Sequence, residues 1–136
     1  AEIAAVAETM RRSASKGALE AAAEHFVGYW SGTAAWAASP PERRAFYAQC
    51  VPGVLDEFSA VLTGSDAPAV WCAALPARTS VVWSADTVRP SREIVEVLAD
   101  AATDWDFVRV PEGGHMAPLT HAHLVNPIIG AHLLGP

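Results

Sequence analysis

Cysteine, basic charge and long apolar runs are all scarce in this sequence. Its 136 residues include two cysteines and nine Lys or Arg, against 15 Asp or Glu. Cys50 and Cys72 do not form a Cys-x-x-Cys pattern, which argues against a disulfide scaffold and against a cysteine metal site. No run of about 18 uncharged apolar residues occurs, so we expect no transmembrane helix.

The charge balance limits the classes of partner. The formal net charge is −6, and the basic residues are scattered along the chain. Because binding to a phosphate backbone needs a clustered basic face, we expect no nucleic-acid partner. Glu2 and Glu8 interrupt the apolar amino terminus, which is unlike a secretory signal peptide. These features predict a cytoplasmic protein that does not contact membranes.

The first half of the chain has a helical pattern. Hydrophobic residues make up 51% of the sequence, enough for a packed core, and over residues 1–64 they recur at helical spacing. Gly32 ends one predicted helix, and Ser39-Pro40 begins the next. Pro52-Gly53 is expected to break that helix, and Gly64 to end the one after it. Residues 65–78 are predicted to be a connector.

The pattern changes after the connector. Thr79–Trp83 and Trp105–Val110 are rich in β-branched and aromatic residues and are predicted to be buried strands, with a helix between them. A last helix, His121–Leu134, should bend at Pro127. Two strands joined by a helix are expected to run parallel, so the loops that follow them emerge at one edge of the sheet.

Those two loops carry the residues of chemical interest. The first loop contains Asp86, and the second contains His115 after two glycines. The parallel arrangement therefore predicts an acid and an imidazole side by side. Asp104 and Asp106 lie at the start of the second strand and therefore at the opposite edge.

The residues that follow Thr79 resemble the C-terminal end of the α/β-hydrolase family. The resemblance is carried by VVWSADTVRPSREIV and FVRVPEGGHMAPLTHAHLVNPIIGAHL, and the earlier FVGYWSGTAAW and PPERRAFYAQ resemble that family's helical cap. It implies an α/β fold class: a partial α/β-hydrolase fold. Residues 1–64 would be a helical cap-like segment, residues 65–78 the connector, and residues 79–136 a parallel βαβα part of the core.

The resemblance also implies catalytic roles. His115 would be the general base that takes the proton of a serine nucleophile, and Asp86 would be the acid that orients it. The family usually has Gly-x-x-Asp at this turn. If Trp83 is aligned with that glycine, Asp86 occupies the position of the acid. If Ser84 is aligned with it, Thr87 occupies that position. In some relatives the acid follows an earlier strand instead. If neither residue is catalytic, His115 is an ordinary surface histidine and Asp86 is an aspartate that accepts hydrogen bonds from the amides of its turn.

The nucleophile of the family is missing from the chain. No Gly-x-Ser-x-Gly motif occurs, so the serine and the oxyanion hole would lie outside this sequence. The function expected is that of the C-terminal part of a serine hydrolase for a small, largely apolar ester or similar carbonyl compound, without a cofactor. Two alternatives stay open: a non-catalytic interaction domain on a hydrolase scaffold, and one chain of a split hydrolase. Whether the chain is itself an enzyme is open too.

Further residues are candidates for ligand contact. Trp30, Trp36 and Met116 are candidate substrate-binding residues, although aromatics at helical spacing usually belong to a core. His121 and His123, with His115 nearby, suggest a zinc site. Side chains two positions apart on a helix point about 200° away from each other, however, so we expect no metal site. The unpaired edge of the first strand predicts self-association, or docking of the missing N-terminal half.

Overall fold

The computed structural model describes residues 2–64, 67–76 and 78–135. These residues fall into two compact units that divide at residues 65–66. None of the described helices is both long enough and apolar enough to cross a bilayer.

The described residues of the first unit form four helices joined by short turns. They are α1 (Glu2–Ala14), α2 (Leu19–Ser31), α3 (Thr33–Ala37) and α4 (Pro41–Thr63). The apolar stripes of α1, α2 and α4 face one another and form the core of the unit. Its largest buried side chains are Val6, Met10, Val27, Trp36, Val51 and Phe58. Burial of these stripes is the main source of the unit's stability.

The expected helix break at Pro52-Gly53 is wrong. α4 runs from Pro41 to Thr63 with Pro52 inside it. An internal proline costs about 3 kcal/mol, because it removes one backbone hydrogen bond and crowds the preceding turn. Val51 and Phe58 lie on either side of it and are buried. Burial of two such side chains contributes about 1.5–3 kcal/mol each, which offsets the cost of the proline.

The second unit surrounds a small sheet. α5 (Pro68–Ala74) leads to β1 (Ser80–Ser84), α6 (Arg89–Ala101) and β2 (Asp106–Val110). A 3₁₀ turn (Gly114–Met116), α7 (Ala117–Thr120) and α8 (Ala122–Leu134) follow. β1 and β2 are parallel, in a register that pairs Ser80 with Asp106 and Ser84 with Val110. Val110, Ala117 and Val125 form the centre of the unit's core.

The predicted α/β fold class is wrong. Helices contain most of the described residues, and the strands form one sheet of two strands with five residues each. The chain is therefore mainly helical rather than a cap followed by a parallel βαβα part of a hydrolase core. The physical reason is that only two short segments have strand-forming sequences, while amphipathic helices supply most of the buried surface.

Candidate functional site

The candidate site lies where β1 and β2 end. β1 ends at Ser84 and leads into the turn that holds Asp86, and β2 ends at Val110, before the glycines that precede His115. The Ala85 amide donates to the Val110 carbonyl at 2.9 Å, so the backbone pairing continues one step beyond the strand. This contact brings the first residues of the two loops together.

The carboxylate of Asp86 joins the two loops. Its Oδ1 accepts hydrogen bonds from the Ser84 hydroxyl and, at 2.7 Å, from the Gly114 amide. Its Oδ2 accepts one from the Gly113 amide at 3.3 Å. The Gly114 amide also lies 3.2 Å from the Ser84 Oγ. The acid is therefore anchored to the two residues that come directly before His115.

These hydrogen bonds affect the ionisation of Asp86. The bond from the Ser84 hydroxyl, followed by the bond from the Gly114 amide, lowers the pKa of the Asp86 carboxyl below its ordinary value. Loss of hydration opposes this shift but is outweighed, since the side chain is largely exposed. Asp86 is therefore an anion at neutral pH.

Glycine is required at the turn that presents these amides. Gly113 and Gly114 have φ angles of 113° and 58°, in the left-handed region that side chains disfavour. A Cβ atom at Gly113 would lie 2.7 Å from the Ala117 Cβ and 2.8 Å from the His121 Nδ1. The backbone turn that points both amides at Asp86 thus depends on the absence of a side chain at position 113.

His115 borders a largely apolar cavity of about 290 Å³. The cavity lies between the strand ends and the helices α6, α7 and α8. Its polar lining comes from Ser84, Thr87, Ser91 and His115, and its apolar lining includes Val82, Ile94, Val95, Val110, Ala117 and Val125. The volume is at the lower end of the range for small-molecule sites, so it fits a small apolar group.

Ser84 is the residue of this site that the sequence did not reveal. It is 2% exposed, lines the cavity and contacts both loops. Its position two residues before an aspartate at a turn was the available signal, because serine hydroxyls often bond to nearby polar groups in turns. Thr87, the alternative acid position, is buried and carries no carboxylate.

The three candidate substrate-binding residues lie in both units. Trp36 is buried in the core of the first unit, and Trp30 contacts Phe26 edge-on with ring centroids 6.3 Å apart. Met116 ends the 3₁₀ turn of the second unit and is not among the described residues that line the cavity. Substrate contact by these three residues stays a prediction.

His121 and His123 are arranged differently from the expectation. His121 precedes α8 instead of lying within it, so the helical angle between positions 121 and 123 does not apply. The rings of His121 and His123 are neighbours, with centroids 5.9 Å apart. Even so, the described part of the chain contains no group of three or more His, Cys, Asp or Glu side chains placed to hold a metal ion.

Comparisons with known proteins give no further assignment. No protein-family model, no curated protein and no solved structure matches the chain. The function is therefore inferred from the residues of the chain itself.

Proposed function

We propose that this chain supplies the general base His115 and the orienting acid Asp86 to a serine-type hydrolase, whose nucleophile lies outside this sequence. One observation carries the proposal: the Asp86 carboxylate is anchored by the amides of Gly113 and Gly114, directly before His115. The resemblance of residues 79–134 to the end of the α/β-hydrolase sequences assigns the same two residues.

The chemistry of the pair suits acyl transfer. His115 takes the proton of the attacking serine and returns it to the leaving group, while Asp86 orients the imidazole and stabilises its cation. That role requires an ionised acid, and the hydrogen bonds from Ser84 and Gly114 lower the pKa of Asp86 in the required direction. The apolar cavity beside His115 supports a small, largely apolar ester or similar carbonyl compound as substrate.

Ser84 is not proposed as the nucleophile, although it lines the same cavity. A nucleophilic serine must lose its proton to a base. The Ser84 hydroxyl donates instead to Asp86, whose pKa is lowered, and a carboxylate of low pKa is a poor base. The attacking serine and the oxyanion hole are therefore proposed to come from elsewhere, either from another part of a longer protein or from a partner chain. A cytoplasmic location belongs to the same proposal.

The first test is ester turnover by the chain alone. With no nucleophile and no oxyanion hole, each of which contributes orders of magnitude in rate, we expect no hydrolysis of p-nitrophenyl butyrate above that of the denatured chain. Turnover that disappears in His115→Ala would show that this chain contains its own nucleophile, and would overturn the proposal in its present form.

The second test examines the acid and the cavity by NMR. We expect a ring N–H of His115 to give a slowly exchanging signal that is lost in Asp86→Asn and retained in the control Asp104→Asn. A small apolar ketone, an unreactive analogue of the ester, should shift the resonances of Val82, Gly114 and Val125. If the ring N–H signal of His115 is unchanged in Asp86→Asn, the proposed role of Asp86 is refuted. Absence of ketone binding would favour a non-catalytic interaction domain.

A further inference from the structure

A second cavity opens at the other end of the sheet. It has a volume of about 640 Å³ and lies where β1 and β2 begin, against the last turns of α8. Its polar lining comes from Arg78, Ser80, Asp106 and His132, and its apolar lining includes Val108, Pro127 and Ile128. The proposed hydrolase chemistry uses none of these residues.

Ser80 and His132 form a hydrogen-bonded pair in this cavity. The Ser80 Oγ lies 2.8 Å from the His132 Nδ1, and both residues are half-buried. If the hydroxyl donates, the pair still offers the Nε2 proton and an oxygen lone pair. If the ring donates, it offers the hydroxyl proton and the Nε2 lone pair. In either tautomer the pair presents one donor and one acceptor to a ligand.

Arg78 contributes a fixed positive charge. Its Nη2 donates to the His132 carbonyl at 2.7 Å, at the end of α8, where carbonyl groups lack helical partners. Among the described residues this is the one hydrogen bond that the guanidinium makes, so further N–H groups remain for a ligand. A guanidinium held at one end in this way is already positioned to bind a carboxylate.

Asp106 contributes a negative charge to the same cavity. It is the register partner of Ser80, so both side chains project from the same face of the parallel pair. The ion pairs found among the described residues join Arg11 to Glu8 and Arg89 to Glu93. Arg78 and Asp106 thus line one cavity with opposite charges and do not form one of these ion pairs.

We propose that this cavity binds a small zwitterion of the α-amino-acid class with an apolar side chain. The carboxylate binds Arg78 and the ammonium group binds Asp106. The Ser80–His132 pair donates to the carboxylate or accepts from the ammonium group. The side chain packs on Pro127 and Ile128. A simple anion would face Asp106 and a simple cation would face Arg78, whereas a zwitterion complements both charges.

The test uses three ligands of matched shape: L-phenylalanine, 3-phenylpropionate and 2-phenylethylamine. Each is titrated into the whole chain while backbone amide resonances are followed by NMR. We expect L-phenylalanine to shift the amides of Ser80, Ile128 and His132. It should bind about fivefold more tightly than either singly charged ligand, since an exposed charge contact contributes little more than that. Equal binding of all three, no binding, or shifts confined to other residues would overturn the proposal.

Charge variants test the roles of Arg78 and Asp106 separately. Asp106→Asn should weaken binding of the amino acid and strengthen binding of 3-phenylpropionate, because the repelling carboxylate is gone. Arg78→Gln should weaken binding of the amino acid and strengthen binding of the amine. The control variants Arg92→Gln and Asp104→Asn remove one positive and one negative charge from exposed positions outside the cavity. They should leave the affinities for all three ligands unchanged. Charge variants that leave the order of the three affinities unaltered would refute the assignment.

Discussion

Replacing Ser84 with alanine removes the hydroxyl group that links the Asp86 turn to the glycine turn. The hydroxyl donates to Asp86 and lies 3.2 Å from the Gly114 amide. Alanine keeps the Cβ atom and fits the buried position, so the change deletes these contacts without adding bulk. We expect the second unit to stay folded but to become less stable.

The size of the effect follows from the nature of the bond. A hydrogen bond to a charged group contributes about 1.5–3 kcal/mol. Asp86 is largely exposed, so solvent screening reduces the expected loss in Ser84→Ala to about 1 kcal/mol at neutral pH. Since the fold lowers the pKa of Asp86, its contribution to stability is present above the ordinary pKa of 3.8 and is lost as the pH falls through the lower pKa of the folded state.

Urea denaturation followed at several pH values measures this loss. The difference between wild type and Ser84→Ala should be greatest near neutral pH. It should shrink as the pH falls from the ordinary pKa of 3.8 through the lower pKa of Asp86 in the folded wild type. Carboxyl NMR should show the pKa of Asp86 moving upward in the variant. Ser91→Ala, which alters another half-buried serine of the same cavity, is the control. An unchanged Asp86 titration in Ser84→Ala would refute the reasoning.

Two further predictions concern backbone strain and association. Gly113→Ala should destabilise the second unit by about 2–4 kcal/mol in urea, because the new Cβ meets Ala117 and His121 at a positive φ. Gly53→Ala, inside α4 with open space around it, should be neutral or slightly stabilising, and equal effects of the two would contradict this account. The isolated chain should self-associate through the Thr79–Trp83 edge, which no other described strand covers. Light scattering that shows a stable monomer at high micromolar concentration would contradict the prediction of self-association.

The sequence predicted the positions of many elements but not the class of the fold. The two strands lie within one residue of their predicted bounds, since runs such as Val81-Val82-Trp83 are strong local signals. Pro52 misled the prediction because burial on both sides of it, a tertiary effect, outweighs its local cost. The fold class was wrong because it was taken from the family resemblance, whereas the two predicted strands are a small part of a mainly helical chain.

The site could be predicted only in outline. The spacing of strands and loops predicted that Asp86 and His115 would follow neighbouring strand ends, and the structure links the two loops through Asp86. The participation of Ser84 depends on an exact hydroxyl position, which spacing does not encode. The second cavity gave no signal at all, because Ser80 and His132 are far apart in sequence and meet only after α8 packs on the sheet.

The parallel pairing of β1 and β2 has a consequence for folding kinetics. In the first unit, α1 meets α2 across a short turn, so much of its contact is local in sequence. In the second unit, Ser80 finds Asp106 only after the whole of α6 has been placed between them. Closing that longer loop costs chain entropy before any strand hydrogen bond forms. The α1–α2 pair should therefore form before the sheet that positions Asp86, which should appear in a slower phase.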